Sequence, residues 1–262
     1  GKEVDITNYK ALEKFGKDKK IEWVINCSAY TKVDQAEEEV EKAFKINQDG
    51  VRNIALFCSK RKAKLIHIST DYVYDGTRSK LEYYYEEDKP NPLGIYGKSK
   101  LAGEEEIKNI SNEYYIIRTA WLYGINGTNF VNTMLMLFKE KESVRVVKDQ
   151  WGDPTYSKDL AQAILNIVKK NTNGYGVYHF SNIGRTNWFN FAKEIYVQAK
   201  KLGLIDREKE VKIIPIKTEE YPTAVKRPKN TILCKDKIVN VFGLEIRSWI
   251  EALEDYLHEM SL

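Results

Sequence analysis

The sequence predicts an α/β fold in which a mostly parallel β-sheet packs against helices. Short apolar runs rich in β-branched residues alternate with longer segments of helical periodicity through the first two thirds of the chain. Strands that alternate with helices need crossover connections, and these connections make neighbouring strands parallel. The 262 residues, of which 42% are hydrophobic, are enough to build a sizeable core.

Each element of the first part follows from a local pattern. Apolar runs bounded by polar residues predict three strands, at residues 21–26, 64–69 and 114–118. Apolar residues at helical spacing predict a long helix over 34–61 and another over 96–110. A short helix over 8–15 precedes the first strand, and a loop rich in Tyr, Gly, Pro and acidic residues covers 75–94.

The alternation of strands and helices loosens beyond residue 124. Helices are predicted at residues 130–141, 157–170, 188–201 and 248–259. Strands are predicted at residues 144–147, 178–180 and 211–216. We interpret this region as a smaller lobe that is interleaved with the first part of the chain.

Composition argues against several classes of function. The 42 basic and 38 acidic residues leave a net charge of only +4, which gives no basis for binding nucleic acid or a membrane. The three cysteines and three histidines are too widely spaced for a disulfide framework or a metal site, so buried or partly buried thiols are predicted. No run approaches the ~20 apolar residues of a membrane span and no signal peptide opens the chain, so a cytoplasmic location is predicted. The acidic runs at 37–41 and 104–106 are predicted to be solvated helix faces.

Residues suited to a binding site follow three of the predicted strands. In parallel sheets, ligands bind beyond the carboxyl ends of the strands. Here those ends are small, hydroxylated or aromatic, at residues 26–31, 69–72 and 119–123. The sequence therefore places its candidate site at this edge of the sheet.

The most specific local feature is Tyr96-Gly97-Lys98-Ser99-Lys100. Tyr96 and Lys100 are four residues apart at the start of a helix, so they lie on one face. A neighbouring ammonium stabilises a phenolate and lowers the pKa of the tyrosine, which can then give a proton to a carbonyl oxygen. Thr70, next to Ser69 at a strand end, is a candidate to hold that oxygen. Most Tyr-x-x-x-Lys sequences are solvated helix surface, but the preceding strand that ends in Ser-Thr favours the catalytic interpretation here.

Several longer segments resemble one family. The run at 68–76 reads Ile-Ser-Thr-Asp-Tyr-Val-Tyr-Asp-Gly, and it closely resembles a segment of the dTDP-4-dehydrorhamnose reductases, which are extended short-chain dehydrogenase/reductases. Four more segments resemble that family in the same order, at residues 26–34, 96–104, 118–124 and 226–231. Together they cover essentially the whole chain, and several long motifs are more specific than one short motif.

This resemblance implies a fold and an activity. The fold would be a Rossmann-like, doubly wound, mostly parallel sheet with a smaller C-terminal substrate-binding lobe. Residues 1–145 would form the NAD(P)-binding domain, and residues 146–262 mainly the lobe, with some segments returning to the first domain. The implied reaction is hydride transfer from NADPH or NADH to C4 of dTDP-4-keto-6-deoxy-L-mannose, giving dTDP-L-rhamnose without a metal. The expected partner is the nucleotide sugar, and the expected state is a monomer or homodimer.

The resemblance also implies a role for individual residues. Tyr96 would be the proton donor, Lys100 would lower its pKa and hold the nicotinamide ribose, and Thr70 would contact the 4-keto oxygen. The substrate would contact Thr70, Asp71, Tyr72, Trp121 and Arg227. The cofactor would contact Asp5 and Ile6 at its adenine end, and Ala29, Tyr30, Thr31, Tyr96 and Lys100 along its length.

Four of these residues also have a simpler structural interpretation. Trp121 at a strand end suits a core, and Asp5 could cap the helix that begins near residue 8. Asp71 could form a turn, and Arg227 before a proline could be a surface charge. A basic side chain at this last position would also suit a diphosphate.

One motif of the family has no counterpart in the sequence. The family opens with a strand and a Gly-x-x-Gly-x-x-Gly turn, on which the cofactor pyrophosphate rests. The 15 glycines of this chain include no such turn, so we expect the sequence to omit an N-terminal unit of roughly 30 residues or more. The alternative is a remodelled relative that does not bind the cofactor in the usual way. Both NADPH and NADH stay candidates, because the residues that select between them belong to the same unit.

Two other functions stay open at this point. One is a different nucleotide-sugar enzyme of the superfamily, an epimerase or dehydratase, although Asp71-Tyr72 and Trp121 follow the reductase pattern. The other is a non-catalytic regulatory subunit that resembles the one of methionine adenosyltransferase. Tyr96 and Lys100 argue against this second alternative, whereas the lack of a glycine turn favours it.

Overall fold

Strands and helices alternate through the first part of the chain and less regularly in the rest. The computed structural model describes residues 4–261. The strands are β1 (Trp23–Asn26), β2 (Lys64–Thr70), β3 (Tyr114–Thr119), β4 (Leu122–Tyr123), β5 (Ser143–Val147), β6 (Trp151–Gly152), β7 (Thr155–Tyr156), β8 (Gly176–His179), β9 (Thr186–Asn187) and β10 (Lys212–Ile216). The α-helices are α1 (Tyr9–Gly16), α2 (Val40–Phe44), α3 (Val51–Arg61), α4 (Ile95–Ile110), α5 (Phe130–Glu140), α6 (Ser157–Lys170), α7 (Trp188–Lys201), α8 (Asp236–Phe242) and α9 (Trp249–Met260).

The central sheet has the strand order β1-β2-β3-β8, and all its strands are parallel. In this register Asn26 lies beside His67, and Thr70 lies beside Thr119. The carboxyl ends of three strands therefore meet at one edge, which is the edge that the sequence predicts for the site. The parallel sheet with alternating helices confirms the predicted α/β class.

Helices cover both faces of this sheet. Leu65 and Ile116 face one layer, built by α1, α3 and α4. Ile66 and Ile117 face the opposite layer, built by α6 and α8. All four side chains are wholly buried, and each such burial contributes about 1.5–3 kcal/mol to folding. A sheet buried on both faces gives the near-continuous apolar strands from which the fold class was predicted.

A second core lies beyond the end of β3. It is formed mainly by α5, α7 and α9 around the parallel pair β5 and β10. Strand β8 comes from beyond residue 145 but pairs with β3 in the central sheet. The boundary at residue 145 stays a prediction. None of the helices among residues 4–261 is long and apolar enough to cross a membrane.

The helix predicted over residues 34–61 is wrong as a single element. A 3₁₀ turn and α2 lead into a π-helical segment at Lys45–Gly50, and only then does α3 begin. The Asn47 side chain bonds both to the amide of Tyr30, at 2.8 Å, and to its carbonyl, at 3.1 Å. Gly103 of α4 approaches so closely that a Cβ there would lie 2.1 Å from the Asn47 carbonyl oxygen. These contacts fix the π-helical turn, and apolar periodicity does not reveal them.

Glu104 is not the solvated residue that the sequence predicts. It is wholly buried, and its carboxylate binds the Arg118 guanidinium at 2.6 and 3.0 Å. Its Oε1 also accepts a hydrogen bond from Ser69 at 2.5 Å. The physical reason is helical phase, because residue 104 lies one turn beyond Lys100 on the face that packs against the sheet. Glu105, one position further, is exposed as predicted.

Two smaller expectations also differ from the structure. Asn8, not Asp5, caps α1, because its side chain accepts the amide hydrogen of Ala11. Asp5 instead accepts hydrogen bonds from the amide and hydroxyl of Thr7. The cysteines are free thiols, and two are buried, but Cys27 is exposed.

The buried ion pair of Arg118 and Glu104 leads to a stability prediction. Arg118→Met leaves the Glu104 carboxylate buried without its partner, so we expect a loss of about 3–5 kcal/mol in the free energy of unfolding. The matched control is Arg145→Met, because the Arg145–Glu220 pair is 58% and 49% exposed. The control should cost less than about 1 kcal/mol. Urea unfolding measures both variants, and equal losses would contradict the structural role assigned to Arg118.

Candidate active site

A cavity of about 520 Å³ opens at the carboxyl edge of the central sheet. The segments that follow β1, β2 and β3 form its floor, and the start of α4 forms one wall. Trp188 at the start of α7 and Arg227 from the C-terminal region close the opposite side. The cavity therefore lies between the sheet and the second core.

Most of the predicted site residues line this cavity. They are Ala29, Thr31, Thr70, Asp71, Tyr72, Tyr96, Lys100, Trp121 and Arg227. Tyr30 does not line it, because its side chain is buried and donates to Glu39 at 2.8 Å. Asp5 and Ile6 do not line it either, and Ile6 packs against Gly50 at the start of α3. The roles of all these residues stay predictions.

Thr70 and Tyr96 bring two hydroxyl groups to the same place. Thr70 is the last residue of β2, and its hydroxyl accepts the amide hydrogen of Tyr72 at 3.2 Å, which begins a short 3₁₀ turn. Tyr96 lies on the first turn of α4, where its ring meets that of Tyr72 at 5.7 Å, edge to face. Burial raises the pKa of Tyr96 above its usual value, and the neighbouring Thr70 hydroxyl opposes that shift. The phenol is therefore a protonated group at neutral pH.

Lys100 is buried one helical turn behind Tyr96. Its amine donates to the Ile68 carbonyl at 2.7 Å and lies 3.3 Å from His67 Nε2. Burial lowers the pKa of Lys100 to about 8, while Glu104 and Cys27 oppose that shift. A lysine with this pKa changes its charge near neutral pH.

One expectation about these two residues differs from the structure. The sequence suggests that the Lys100 ammonium lowers the pKa of Tyr96. In the structure the amine is held against the Ile68 carbonyl, and burial together with nearby Asp71 raises the pKa of Tyr96. For Lys100 to lower the pKa of Tyr96, its amine would have to leave the Ile68 carbonyl and approach the Tyr96 hydroxyl.

Asp71 places a carboxyl group on the cavity floor. It is 2% exposed, and burial raises its pKa to about 7, with Asp153 adding repulsion. Its Oδ1 accepts from the Thr70 hydroxyl at 3.1 Å, whereas its Oδ2 is buried without a hydrogen-bond partner. An unpaired buried oxygen of this kind disfavours the charged carboxylate, in line with the raised pKa of Asp71.

Trp121 forms an aromatic platform at the other end of the cavity. Its indole stacks on Trp188, with ring centroids 3.5 Å apart. Its backbone is left-handed, with a φ of 46°, a conformation that is rare for bulky residues and costs about 1–3 kcal/mol. A Cβ at position 152 would lie 2.6 Å from the ring, so Gly152 is needed for this packing. Backbone strain of this kind recurs at ligand-binding sites.

Arg227 bridges two parts of the chain across the cavity mouth. It donates to the Tyr72 hydroxyl at 2.7 Å and to Asp34 Oδ2 at 2.6 Å. The side chains of Arg227 and Asp34 are 23% and 45% exposed, so a bound anion could compete for this guanidinium. Arg227 is therefore part of the site and not an isolated surface charge.

Sequence reasoning missed several residues of this site. Trp188 lines the cavity, and so do residues of the 124–129 loop. Trp188 was assigned only as the start of a helix, because stacking against Trp121 depends on how the second core folds back. His67 is wholly buried under Lys100, and the only available signal was a histidine within an apolar strand. No group of three or more potential metal ligands occurs among residues 4–261.

Comparison with known proteins identifies the family. The sequence model described as "RmlD substrate binding domain" matches residues 1–262. A dTDP-4-dehydrorhamnose reductase from Aggregatibacter actinomycetemcomitans is 39% identical over 97% of this chain and 86% of its own length. The chain belongs to the dTDP-4-dehydrorhamnose reductase family. The resemblance found in the sequence is thereby confirmed.

Two further relatives support membership of the reductase family. The spore coat polysaccharide biosynthesis protein SpsK of Bacillus subtilis is 42% identical over 91% of this chain and 79% of its own length. The crystal structure of the Bacillus anthracis dTDP-4-dehydrorhamnose reductase in complex with NADP superposes with a TM-score of 0.89 and 43% identity. That match covers 98% of this chain and 87% of the Bacillus anthracis chain. The Rossmann-like architecture of the reductase family is therefore also that of this protein.

The cavity suits the nicotinamide end of the dinucleotide expected from the reductase family. Ala29 and Thr31 leave room beyond β1, and the hydroxyl and amine of Tyr96 and Lys100 suit the polar edge of a ribose. Among residues 4–261, the loops at this edge contain no Gly-x-x-Gly-x-x-Gly turn that could hold a pyrophosphate. The described residues thus fit one end of the dinucleotide.

The raised pKa of Asp71 leads to a pH prediction. The folded protein binds this proton more tightly than the unfolded chain, because the pKa rises from 3.8 to about 7. That stabilisation is complete below the unfolded value and is lost as the pH rises to about 7. The side chain introduced by Asp71→Asn cannot ionise. From about pH 4 to about pH 8 the free energy of unfolding of the wild type should therefore fall by about 4 kcal/mol relative to that of the variant. Urea unfolding across this pH range measures the difference.

Asp75 provides a control of opposite sign. Although burial raises its pKa, hydrogen bonds from Asn91, Thr77 and Tyr84 together lower it to about 2. Asp75→Asn should therefore remove stability that is present above pH 3.8 and lost as the pH falls. A wild type and an Asp71→Asn variant with parallel pH profiles would show that Asp71 does not hold its proton in the fold.

Proposed function

We propose that this protein is an NAD(P)H-dependent oxidoreductase that reduces the C4 ketone of dTDP-4-keto-6-deoxy-L-mannose to give dTDP-L-rhamnose. The observation that carries the proposal is the convergence of Tyr96, Thr70 and Lys100 on one cavity. The chain that carries this arrangement belongs to the dTDP-4-dehydrorhamnose reductase family. The family relatives, one of them crystallised with NADP, support a nicotinamide cofactor.

The two hydroxyl groups account for the proton side of the reaction. The nicotinamide would supply the hydride that reduces the ketone carbon. Tyr96 would donate a hydrogen bond to the ketone oxygen and give it a proton as negative charge develops. Thr70 would donate to the same oxygen once its hydroxyl turns away from Asp71 Oδ1. Because burial raises the pKa of Tyr96, the phenol keeps its proton until the oxygen becomes strongly basic. If the Lys100 ammonium leaves the Ile68 carbonyl and approaches Tyr96, it would stabilise the phenolate that remains.

The other lining residues account for substrate binding. The Trp121 indole, which stacks on Trp188, would offer an aromatic surface to the sugar ring. Asp71, which lines the cavity, would contact the sugar, and Arg227 would offer its guanidinium to the diphosphate. We further infer a cytoplasmic enzyme whose partner is the nucleotide sugar, with monomer and homodimer both compatible with the proposal.

The role of Tyr96 is tested by Tyr96→Phe. The variant keeps the ring but loses the proton, so we expect kcat to fall by about 10²- to 10⁴-fold with little change in KM. The assay uses the purified protein and follows loss of the reduced nicotinamide absorbance with dTDP-4-keto-6-deoxy-L-mannose.

Tyr85→Phe is the matched control, since Tyr85 is exposed and does not line the cavity. Its kcat should equal that of the wild type. Equal turnover by Tyr96→Phe would exclude Tyr96 as the proton donor. No turnover by the wild type would overturn the proposed reaction, and a change in the kinetics of a co-purifying enzyme would then support a regulatory subunit.

The role of Arg227 is tested by a pair of substitutions. Arg227→Met removes a charge-assisted hydrogen bond to the diphosphate, so KM for the nucleotide sugar should rise about 10- to 100-fold with a smaller change in kcat. Asp34→Asn releases the same guanidinium from its ion pair, so its KM should stay equal or fall. Steady-state kinetics decide, and an equal rise in KM for both variants would assign Arg227 a purely structural role.

A further inference from the structure

A buried chain of polar groups runs from the end of β1 to Lys100. His67 Nδ1 lies 2.9 Å from Asn26 Nδ2, and His67 Nε2 lies 3.3 Å from Lys100 Nζ. Asn26 and His67 are paired in register on adjacent strands and are 3% and 0% exposed. None of the roles assigned above uses either residue.

The orientation of the Asn26 side chain follows from its other contact. Its Oδ1 accepts the amide hydrogen of Ser28 at 3.0 Å, and a backbone amide can only donate. The Nδ2 group must therefore point at His67, where it donates to Nδ1. Ser28 thus determines which atom of Asn26 faces the imidazole.

This orientation determines the tautomer of His67. Burial and the nearby Lys100 lower the pKa of His67 well below its usual value, so the ring is neutral. A neutral imidazole has one N–H, and because Nδ1 accepts from Asn26, the proton is on Nε2. The Nε2–H group then points at Lys100 Nζ.

Only one protonation state of Lys100 matches this donor. A neutral amine has a lone pair that accepts from Nε2–H, while one of its own hydrogens goes to the Ile68 carbonyl at 2.7 Å. An ammonium has no lone pair, so it would meet another donor at His67. The charged form therefore gains by leaving His67 and moving toward Tyr96 and the cavity.

We propose that Asn26 and His67 are positioning residues for Lys100. They bind its neutral amine beside the sheet, and they disfavour its ammonium form there, so that the ammonium moves toward Tyr96. The proposal deepens the proposed function, because it states how Lys100 comes to the phenol. The other charged or titratable groups near Lys100 are Glu104 on its own helix and Cys27 after β1. Among residues 4–261, the hydrogen-bond partners of the Lys100 amine are His67 and Ile68, and neither Glu104 nor Cys27 bonds to it.

Two substitutions at position 26 test the proposal. In Asn26→Asp the carboxylate accepts both from Ser28 and from His67 Nδ1, so the imidazole proton moves to Nδ1 and Nε2 becomes an acceptor for the ammonium. The pKa of Lys100, and with it the basic limb of kcat/KM, should rise by about one unit or more. Asn26→Ala removes the hydrogen bond from Asn26 to His67 Nδ1 without adding charge. It should therefore raise the pKa of the basic limb of kcat/KM by a smaller amount. Asn187→Asp is the control, since it adds a buried carboxylate at the start of α7.

Nitrogen NMR of the histidine rings reads the tautomer directly. The sequence has only three histidines, so their signals can be assigned one by one. His179 is an internal reference, because its Nδ1 faces the Cys234 carbonyl at 3.2 Å and must carry the proton. We expect Nε2–H for His67 and Nδ1–H for His179 in the wild type, and a change at His67 alone in Asn26→Asp.

The results separate this proposal from the proposed function. An Nδ1–H tautomer of His67 in the wild type would overturn the positioning role even if both variants failed to fold. The titration of Lys100 can be followed by NMR with ¹³C-labelled lysine, and its signal is assigned by its loss in Lys100→Met. If the pKa of Lys100 is unchanged in folded Asn26→Asp, the positioning role is also overturned. If the wild type fails to reduce the sugar nucleotide while His67 and Lys100 behave as described, the proposed reaction falls and the positioning role stands.

Discussion

The site depends on one buried ion pair, between Glu104 of α4 and Arg118 of β3. Glu104 is on the same helix as Tyr96, and it also accepts a hydrogen bond from Ser69, the neighbour of Thr70. This contact therefore sets the helix that carries the phenol against the strand that carries the threonine hydroxyl. The free-energy cost of removing two charges from water offsets much of their electrostatic attraction. The pair therefore contributes a defined arrangement of α4 and β3 more than net stability.

Much of the fold and part of the site followed from simple periodicities. Apolar runs revealed the strands, and the four-residue spacing of Tyr96 and Lys100 placed both side chains on one helix face. The burial of Glu104 was missed because an acidic triplet looks solvated, and only packing against β3 decides which of its members turns inward. The stacking of Trp188 under Trp121 was missed for a related reason, since it joins segments that are distant in sequence and periodicity describes only local neighbours.

Burial gives the titratable groups of the cavity a shared property. It favours the uncharged form of each, raising the pKa of Tyr96, raising that of Asp71 to about 7 and lowering that of Lys100 to about 8. Burial also strengthens every hydrogen bond to an oxygen that becomes negative, because there is less solvent to screen it. The same burial makes the protonation state of Lys100 sensitive to its hydrogen-bond partners. The neutral His67 beside it can therefore influence whether Lys100 is charged.

In the proposed reaction, Tyr96 of α4 and Thr70 at the end of β2 together contact the reacting oxygen of a sugar nucleotide. A crystal structure of the protein with NADP and dTDP-L-rhamnose tests it most directly. The account predicts that Tyr96 Oη and Thr70 Oγ1 both lie within about 2.6–3.2 Å of the sugar O4. A sugar bound in the same cavity with its O4 turned toward Trp188, beyond hydrogen-bonding reach of Tyr96, would contradict it.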